Sequence, residues 1–467
     1  MGAAPRVRAR TQSGFLGVAG RFALVAIPVV AALLAWRGVS YWEYSEGAYA
    51  LTARMLLNGS SLYGDVAAAQ PPLLFYAAAG VLAVNDSLEA LRAALTLPLF
   101  ATGLLVTLAV WRLTLNPAAA VTGGVGALLA PWTLHEGTLL MPEAFAAPLL
   151  IGAALLAASS RRSSAAGALA ALAASVKLAF ALPLLAVGAA ALRRRVYLAG
   201  AAAALAALWT LLLATHGSAL VESVLTAQLQ SGRQAPRLVA GLWLQAAWNL
   251  APLVAIAALG WPLRHRARDP RLLVSLAALV AGSAALLLTL AKHGSYLNVI
   301  AVAEPPLVAL VTCSLWWLFA SVSPAPTRPQ GDRAPLPADR RGVRFARGAA
   351  VLAAGLVAAQ SASLLASPAE PAVFVRPLSG ATHGRTLSSA SVRISAHRLA
   401  ACVPRPWAGT NPFLAFLAGQ PIPGGQPDRF IVRNAAVHAA RRRALLAAGD
   451  ETDCARRAAR GVVRTGL

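Results

Sequence analysis

The chain has 467 residues, 58% of them hydrophobic and only 12% charged, with a mean hydropathy of +0.63. Soluble globular proteins carry about 25% charged residues, and apolar runs of roughly 20 residues recur here, so a soluble helical protein is excluded and a polytopic membrane protein indicated. The formal net charge of +24 does not point to nucleic acid, because the arginines sit in short clusters between apolar runs, the positive-inside pattern.

Arg6, Arg8, Arg10 and Arg21 precede the first apolar run, residues 22–38. That places the N-terminus in the cytosol and residues 39–72, the first outer loop, outside. The run has no convincing cleavage site and reads as a retained anchor. Further apolar runs lie near 92–111, 117–133, 142–158, 164–192, 197–215, 244–262, 271–291, 298–320 and 346–366. Basic clusters at Arg112, Arg161–Arg162, Arg193–Arg195, Arg264–Arg271 and Arg328–Arg347 set the topology between them. The run 164–192 is too long for one helix and contains Lys177, so it is a tight helical pair or a long kinked span. The piece 72–84 is short and upsets the parity. Either it is re-entrant or interfacial, or it spans and Arg112 lies outside. The expected fold is mainly α: a multi-pass bundle of about ten to twelve spans in the plasma (inner) membrane, formed by residues 1–366.

Residues 322–345, with "SPAPTRPQGDRAPLPADRR", are too rich in Pro and Arg to bury a core and read as a disordered cytosolic loop. The last span then exports residues 367–467, enough for a small α/β extracytoplasmic domain. In it "HRLAACVP" is a candidate strand and "AAVHAARRRALLAAG" a candidate helix ending at Gly449. The three cysteines form no CxxC motif. Cys313 lies in an apolar run and reads as inert; Cys402 and Cys454, in the exported tail, could pair.

Three outer segments carry polar residues that a membrane does not require. The first, residues 44–76, reads "YSEGAYALTARMLLNGSSLYGDVAAAQPPLLFY". Its start is an amphipathic helix stopped by Asn58-Gly59 and laid along the membrane surface. Glu46 and Glu43 could act as general base on an acceptor hydroxyl or hold a divalent cation; the plainer alternative is a helix-terminal charge favoured by the macrodipole. The second, "HEGTLLMPEAF", supplies His135, Glu136 and Glu143, which could equally be merely solvated. The third, "LAKHGSYLNVIAVAEPP", clusters Lys292, His293, Tyr296 and Asn298 before Glu304, an acid within an apolar run. An ionisable residue there is a functional candidate, as is Lys177 unless it snorkels to an interface. Acids suit an acceptor and cations a phosphate, a combination that fits transfer from a lipid-phosphate donor. A transporter would show broken helices in matched halves, and no matched halves are visible.

These segments resemble, in order, the motifs of GT-C polytopic glycosyltransferases, in the branch of protein mannosyltransferases and aminoarabinose transferases. Ser45-Glu46-Gly47-Ala48-Tyr49-Ala50, Tyr63-Gly64-Asp65 and Pro71-Pro72-Leu73 are similar to that family's first outer loop. "LRAALTLP", "LLMPEAFAAPLL", "ASVKLAFALPLL" and "KHGSYLNVIAVAEPPLVAL" resemble its later motifs, and "TNPFLAFLAGQPIPGGQPDRFI" a soluble appendage of many members. The resemblance implies a membrane glycosyltransferase using a polyprenyl-phosphate sugar on the outer face, with a lipid, protein or cell-wall glycan as acceptor. Glu46, then Glu43, would be catalytic. Asp65, Gln70, Arg92, Glu143, Lys177, Lys292, His293 and Tyr296 would contact substrate. A divalent cation is a candidate cofactor, with His135 and His293 available as ligands. Two positions depart from the pattern: Ser45 stands where the family places an acid, and Gln70 where some members place a phosphate-binding lysine. A lipid-linked-sugar transporter and a non-catalytic envelope-assembly scaffold are the alternatives.

Overall fold

The computed structural model describes residues 4–37, 41–292, 295, 297–320 and 340–366, with pieces of the tail at 384–386, 412–419, 426–427, 432 and 436–440. The chain begins with helix α1 (Ala4–Arg37), a three-residue strand β1 (Tyr41–Glu43) and helix α2 (Tyr44–Leu57). Then come α3 (Leu73–Val84), α4 (Leu88–Ala94), α5 (Thr96–Thr114), α6 (Pro117–Leu129), α7 (Pro131–Gly137) and α8 (Pro142–Ala157). After these follow α9 (Ser163–Ala174), α10 (Ala181–Ala190), α11 (Arg194–His216), and the short α12 (Ser218–Val221) and α13 (Ala227–Gln230). The bundle closes with α14 (Pro236–Gly260), α15 (Pro270–Ala284), α16 (Ile300–Ala320) and α17 (Arg340–Ala366). The tail adds strand β2 (Gly384–Thr386) and helix α18 (Pro412–Leu417).

Among the described residues, six helical stretches are long and apolar enough to cross a membrane, and the bent pair α6–α7 makes a seventh if counted as one span. The expected ten to twelve spans compare with these six or seven among the described residues. Several apolar runs fold as shorter helices, among them α3, α8 and α9. The 12 residues of α3 reach about 18 Å, well short of ~30 Å of hydrocarbon, so residues 72–84 do not cross alone. The run 164–192 is a helical pair. Ser175 turns its hydroxyl back onto the Ala171 carbonyl (3.0 Å), Lys177 is extended (φ −151°), and a 3₁₀ turn at Leu178–Phe180 restarts the chain as α10. Helix α17 begins at Arg340, inside the segment expected to be a loop; residues 322–339 lie outside the described residues.

Helix α16 is the axis of the bundle, with 83% of its apolar window buried against α5, α6, α7, α8, α14 and α15. Elsewhere small residues let backbones touch. A side chain at Gly167 would lie on the Tyr197 carbonyl, and one at Gly200 on the backbone of Ser164, so α9 and α11 pack at a distance only glycine allows. The far end of α5 is pinned by Arg112, which donates to Asp269 and to the Leu155 carbonyl (3.0 Å). Asp269 in turn caps α15 by accepting from Leu272 N (3.0 Å).

The described pieces of the tail dock on the chain's opening segment. Strand β2 pairs antiparallel with β1, Tyr41 opposite Thr386 and Glu43 opposite Gly384. Helix α18 lies on α2, which is therefore buried from Glu46 to Ala53 rather than laid along a membrane surface. Cys402, Cys454 and the candidate strand lie outside the described residues, and the candidate helix shows only its start, a 3₁₀ turn at Ala436–His438. Cys313 is a buried free thiol.

Candidate functional site

The buried polar side chains fall in two groups, one between α2 and α4 and the other among α7, α8, α16 and the break after α9. Ser87 caps α4, its hydroxyl accepting from Ala90 N (3.1 Å), and aims Arg92 under α2. There Arg92 Nε donates to Glu46 Oε1 (3.0 Å) and Nη2 to Oε2 (2.6 Å), a bidentate fork. Leu140 N also donates to Glu46 Oε1 (3.3 Å). The two side chains are 0% and 3% exposed. A buried carboxylate must be paired, and this one is. In this arrangement Glu46 is held by Arg92 and Leu140 N, and Arg92 turns its fork onto Glu46. The sequence signalled each residue but not that they face each other.

A second buried acid keeps an open valence. Glu143, in the first turn of α8, accepts from Lys177 Nζ at 2.7 Å through Oε1, while Oε2 has no hydrogen-bond partner. Lys177 reaches it because the break after α9 frees its backbone from the helix. Glu143 lines a small cavity with Leu99, Thr102, Thr133, Gly137 and Ala301. Thr133, on the wall of that cavity, is held by Glu304. Helix α7 starts after Ala130, which offers no side-chain cap, and Glu304 supplies one from α16. Its Oε2 accepts from Thr133 N (2.7 Å) and Thr133 Oγ1 (3.0 Å). Thr133 had no signal in the sequence. On the same short helix His135 Nδ1 and Glu136 Oε1 are 2.9 Å apart, and both side chains are buried. Among the described residues no group of three or more His, Cys, Asp or Glu side chains is placed to hold a metal ion.

The remaining predicted residues lie farther along the same loops. Asp65 closes a turn, its Oδ2 accepting from Ser61 N and Ser61 Oγ, each at 2.7 Å. Tyr63, in the left-handed region at φ 68°, donates its hydroxyl to the Gln70 carbonyl (2.6 Å) and sets the path into Pro71-Pro72. Burial pushes the Tyr63 phenol well above its ordinary range. Its ring meets His216 edge-on, and His216 Nε2 lies 3.2 Å from Tyr76 Oη. Lys292 bridges the Arg233 backbone at the end of a 3₁₀ run. His293, Tyr296 and the side chain of Glu43 lie outside the described residues.

No family model matches the sequence, and no curated protein does. The fold has counterparts among solved structures. It is similar to the crystal structure of ArnT from Cupriavidus metallidurans bound to undecaprenyl phosphate, at a TM-score of 0.60 and 16% identity, covering 91% of this chain and 89% of that one. The apo ArnT structure from the same organism gives 0.59 and 18%, with the same coverage. At these identities the likeness is one of fold.

Proposed function

We propose that this protein is an integral membrane glycosyltransferase that moves a sugar from a polyprenyl-phosphate donor to an acceptor on the outer face of the membrane. The observation that carries the reading is the likeness of fold, over 91% of the chain, to a protein crystallised with undecaprenyl phosphate. In this reading the N-terminus is cytosolic, the tail extracytoplasmic, and the acceptor a lipid, protein or cell-wall glycan. Glu43 and Glu143 are the acids that activate or orient the acceptor. Lys177 and Lys292 meet the charge that develops on the departing lipid phosphate, flanked by Asp65, Gln70, His293 and Tyr296. The Glu46–Arg92 pair holds α2 in place above them. A divalent cation enters as a ligand to be tested by chelation.

The test is transfer of radiolabel from a polyprenyl-phosphate sugar to envelope acceptors by protein in proteoliposomes. Wild type transfers label; Glu43→Gln or Glu143→Gln lowers the rate by about 10²–10⁴-fold, the usual weight of a general base. Label that crosses between leaflets and never reaches an acceptor replaces this reading with transport.

One observation favours a second reading. Ser45 and Gln70 stand where the resemblance implies an acid and a lysine, and the neighbouring Glu46 is sealed on Arg92. A scaffold that binds the lipid carrier without turning it over has no need of either group. Saturable polyprenyl-phosphate binding with no transfer to any envelope fraction selects that reading.

A further inference from the structure

We infer that the tail forms a strap, fastened across the first loop at α18 and Gln426, which shuts the Glu46–Arg92 pair away from water. Separate contacts fasten it. A Cβ at Gly47 would lie on the backbone N and Cα of Phe413, so α18 sits where only glycine admits it. Arg54 Nη1 donates to the Phe416 carbonyl at 2.6 Å, and its guanidinium lies 3.8 Å over the Phe416 ring. Farther along, the Gln426 amide clasps the loop from both sides. Its Nε2 donates to the Asp65 carbonyl (2.7 Å), and its Oε1 accepts from Ala67 N (2.9 Å). The β1–β2 ladder is the other tie.

What lies beneath is specific. The Phe413 residue is fully buried, its ring 5.7 Å from the Arg92 guanidinium. An isolated six-residue helix has almost no stability of its own, so α18 persists by docking and not by propensity. Its main packing partner is α2. With the strap lifted, an anion competes with Glu46 for the Arg92 fork, which fits carboxylate and phosphate alike. Strapped, Arg92 is held by Glu46; unstrapped, it offers a site to the phosphate of a lipid carrier. The identity of that anion rests on the proposed function; the strap does not.

The experiment uses the full chain with Cys313, Cys402 and Cys454 replaced by serine and one reporter cysteine, Ala415→Cys, on the buried face of α18. Maleimide labelling is timed in detergent for this protein, for Arg54→Ala with Gln426→Ala, and for Gly47→Val, which pushes α18 off directly. Each release background is expected to label about tenfold faster or more, the effect of losing charged or paired hydrogen bonds on a local opening equilibrium. Unchanged labelling in both overturns the strap. An Ala309→Cys reporter in α16 stays protected throughout; its labelling means the whole bundle has loosened and overturns a local strap. Undecaprenyl phosphate binding, measured on the same proteins, tightens on release. Faster labelling with unchanged affinity overturns the gate on Arg92. Neither readout depends on sugar transfer, so loss of the enzymatic reading leaves both arms standing.

Discussion

Lys177 Nζ, reaching from the break between α9 and the 3₁₀ turn, lies 2.7 Å from Oε1 of Glu143 on α8, an ion pair with one end wholly buried. Removing either partner strands the other. Because Lys177 keeps 19% exposure, water reclaims part of the loss, and each single change costs about 1–3 kcal/mol rather than the fully buried figure. Glu143→Gln and Lys177→Met are each expected to lower Tm in detergent, while the double variant recovers most of it. Singles that melt like wild type would show that the pair contributes nothing to folding.

Glu304 stabilises α7 by accepting from Thr133, and only its acceptor oxygens matter for that role. Glu304→Gln keeps an acceptor and is expected to fold normally. Glu304→Ala orphans a buried N–H and costs about 1–3 kcal/mol. Thermal unfolding of the two variants separates capping from a requirement for charge: equal losses would refute the capping role.

Gly167 and Gly200 fix the spacing of α9 and α11. A leucine at Gly167 must displace the Tyr197 backbone, since no flexible side chain stands in its way. Overpacking of this kind costs about 1–3 kcal/mol, occasionally more. Gly348, whose added Cβ would meet nothing within 4 Å, is the control, and Gly348→Ala leaves the melting curve unmoved.

Tyr63 carries an alkaline signature. Its phenol is raised by burial above the ordinary value of 10.0, so the folded chain holds a proton that the unfolded chain releases. The stabilisation is complete below pH about 10 and declines as pH rises beyond it. Urea midpoints measured upward from neutral pH should therefore fall less steeply for Tyr63→Phe than for wild type above pH about 10.

Much of the architecture could be read from hydropathy because bilayer thickness acts on every residue of a span. Runs near 298–320 and 197–215 became α16 and α11 almost unchanged. Helix α2 and its stop at Asn58-Gly59 were also legible, since Gly59 takes φ 89° and ends the helix by backbone conformation alone. Hydropathy misled where length mattered: residues 72–84 are apolar yet too few to cross. Pairing was beyond its reach. Glu46 and Arg92 are 46 positions apart, and nothing local to either announces the other. Thr133 is silent for the same reason. It matters because α7 breaks away by 59° from α6 and turns its bare amides toward Glu304. A carboxylate can be spotted in a string of letters; whether it is open or occupied depends on the chain returning to it.

The contact between Arg54 and Phe416 spans 362 positions. At a synthesis rate of about 5–20 residues per second, roughly 20–70 s separate the emergence of the two partners. Throughout that interval α2 has been made and its cover has not. A newborn chain therefore passes through a stage in which the greasy flank of α2 is bare and open to chaperones and proteases. Any truncation before residue 412 would hold the protein at that stage permanently.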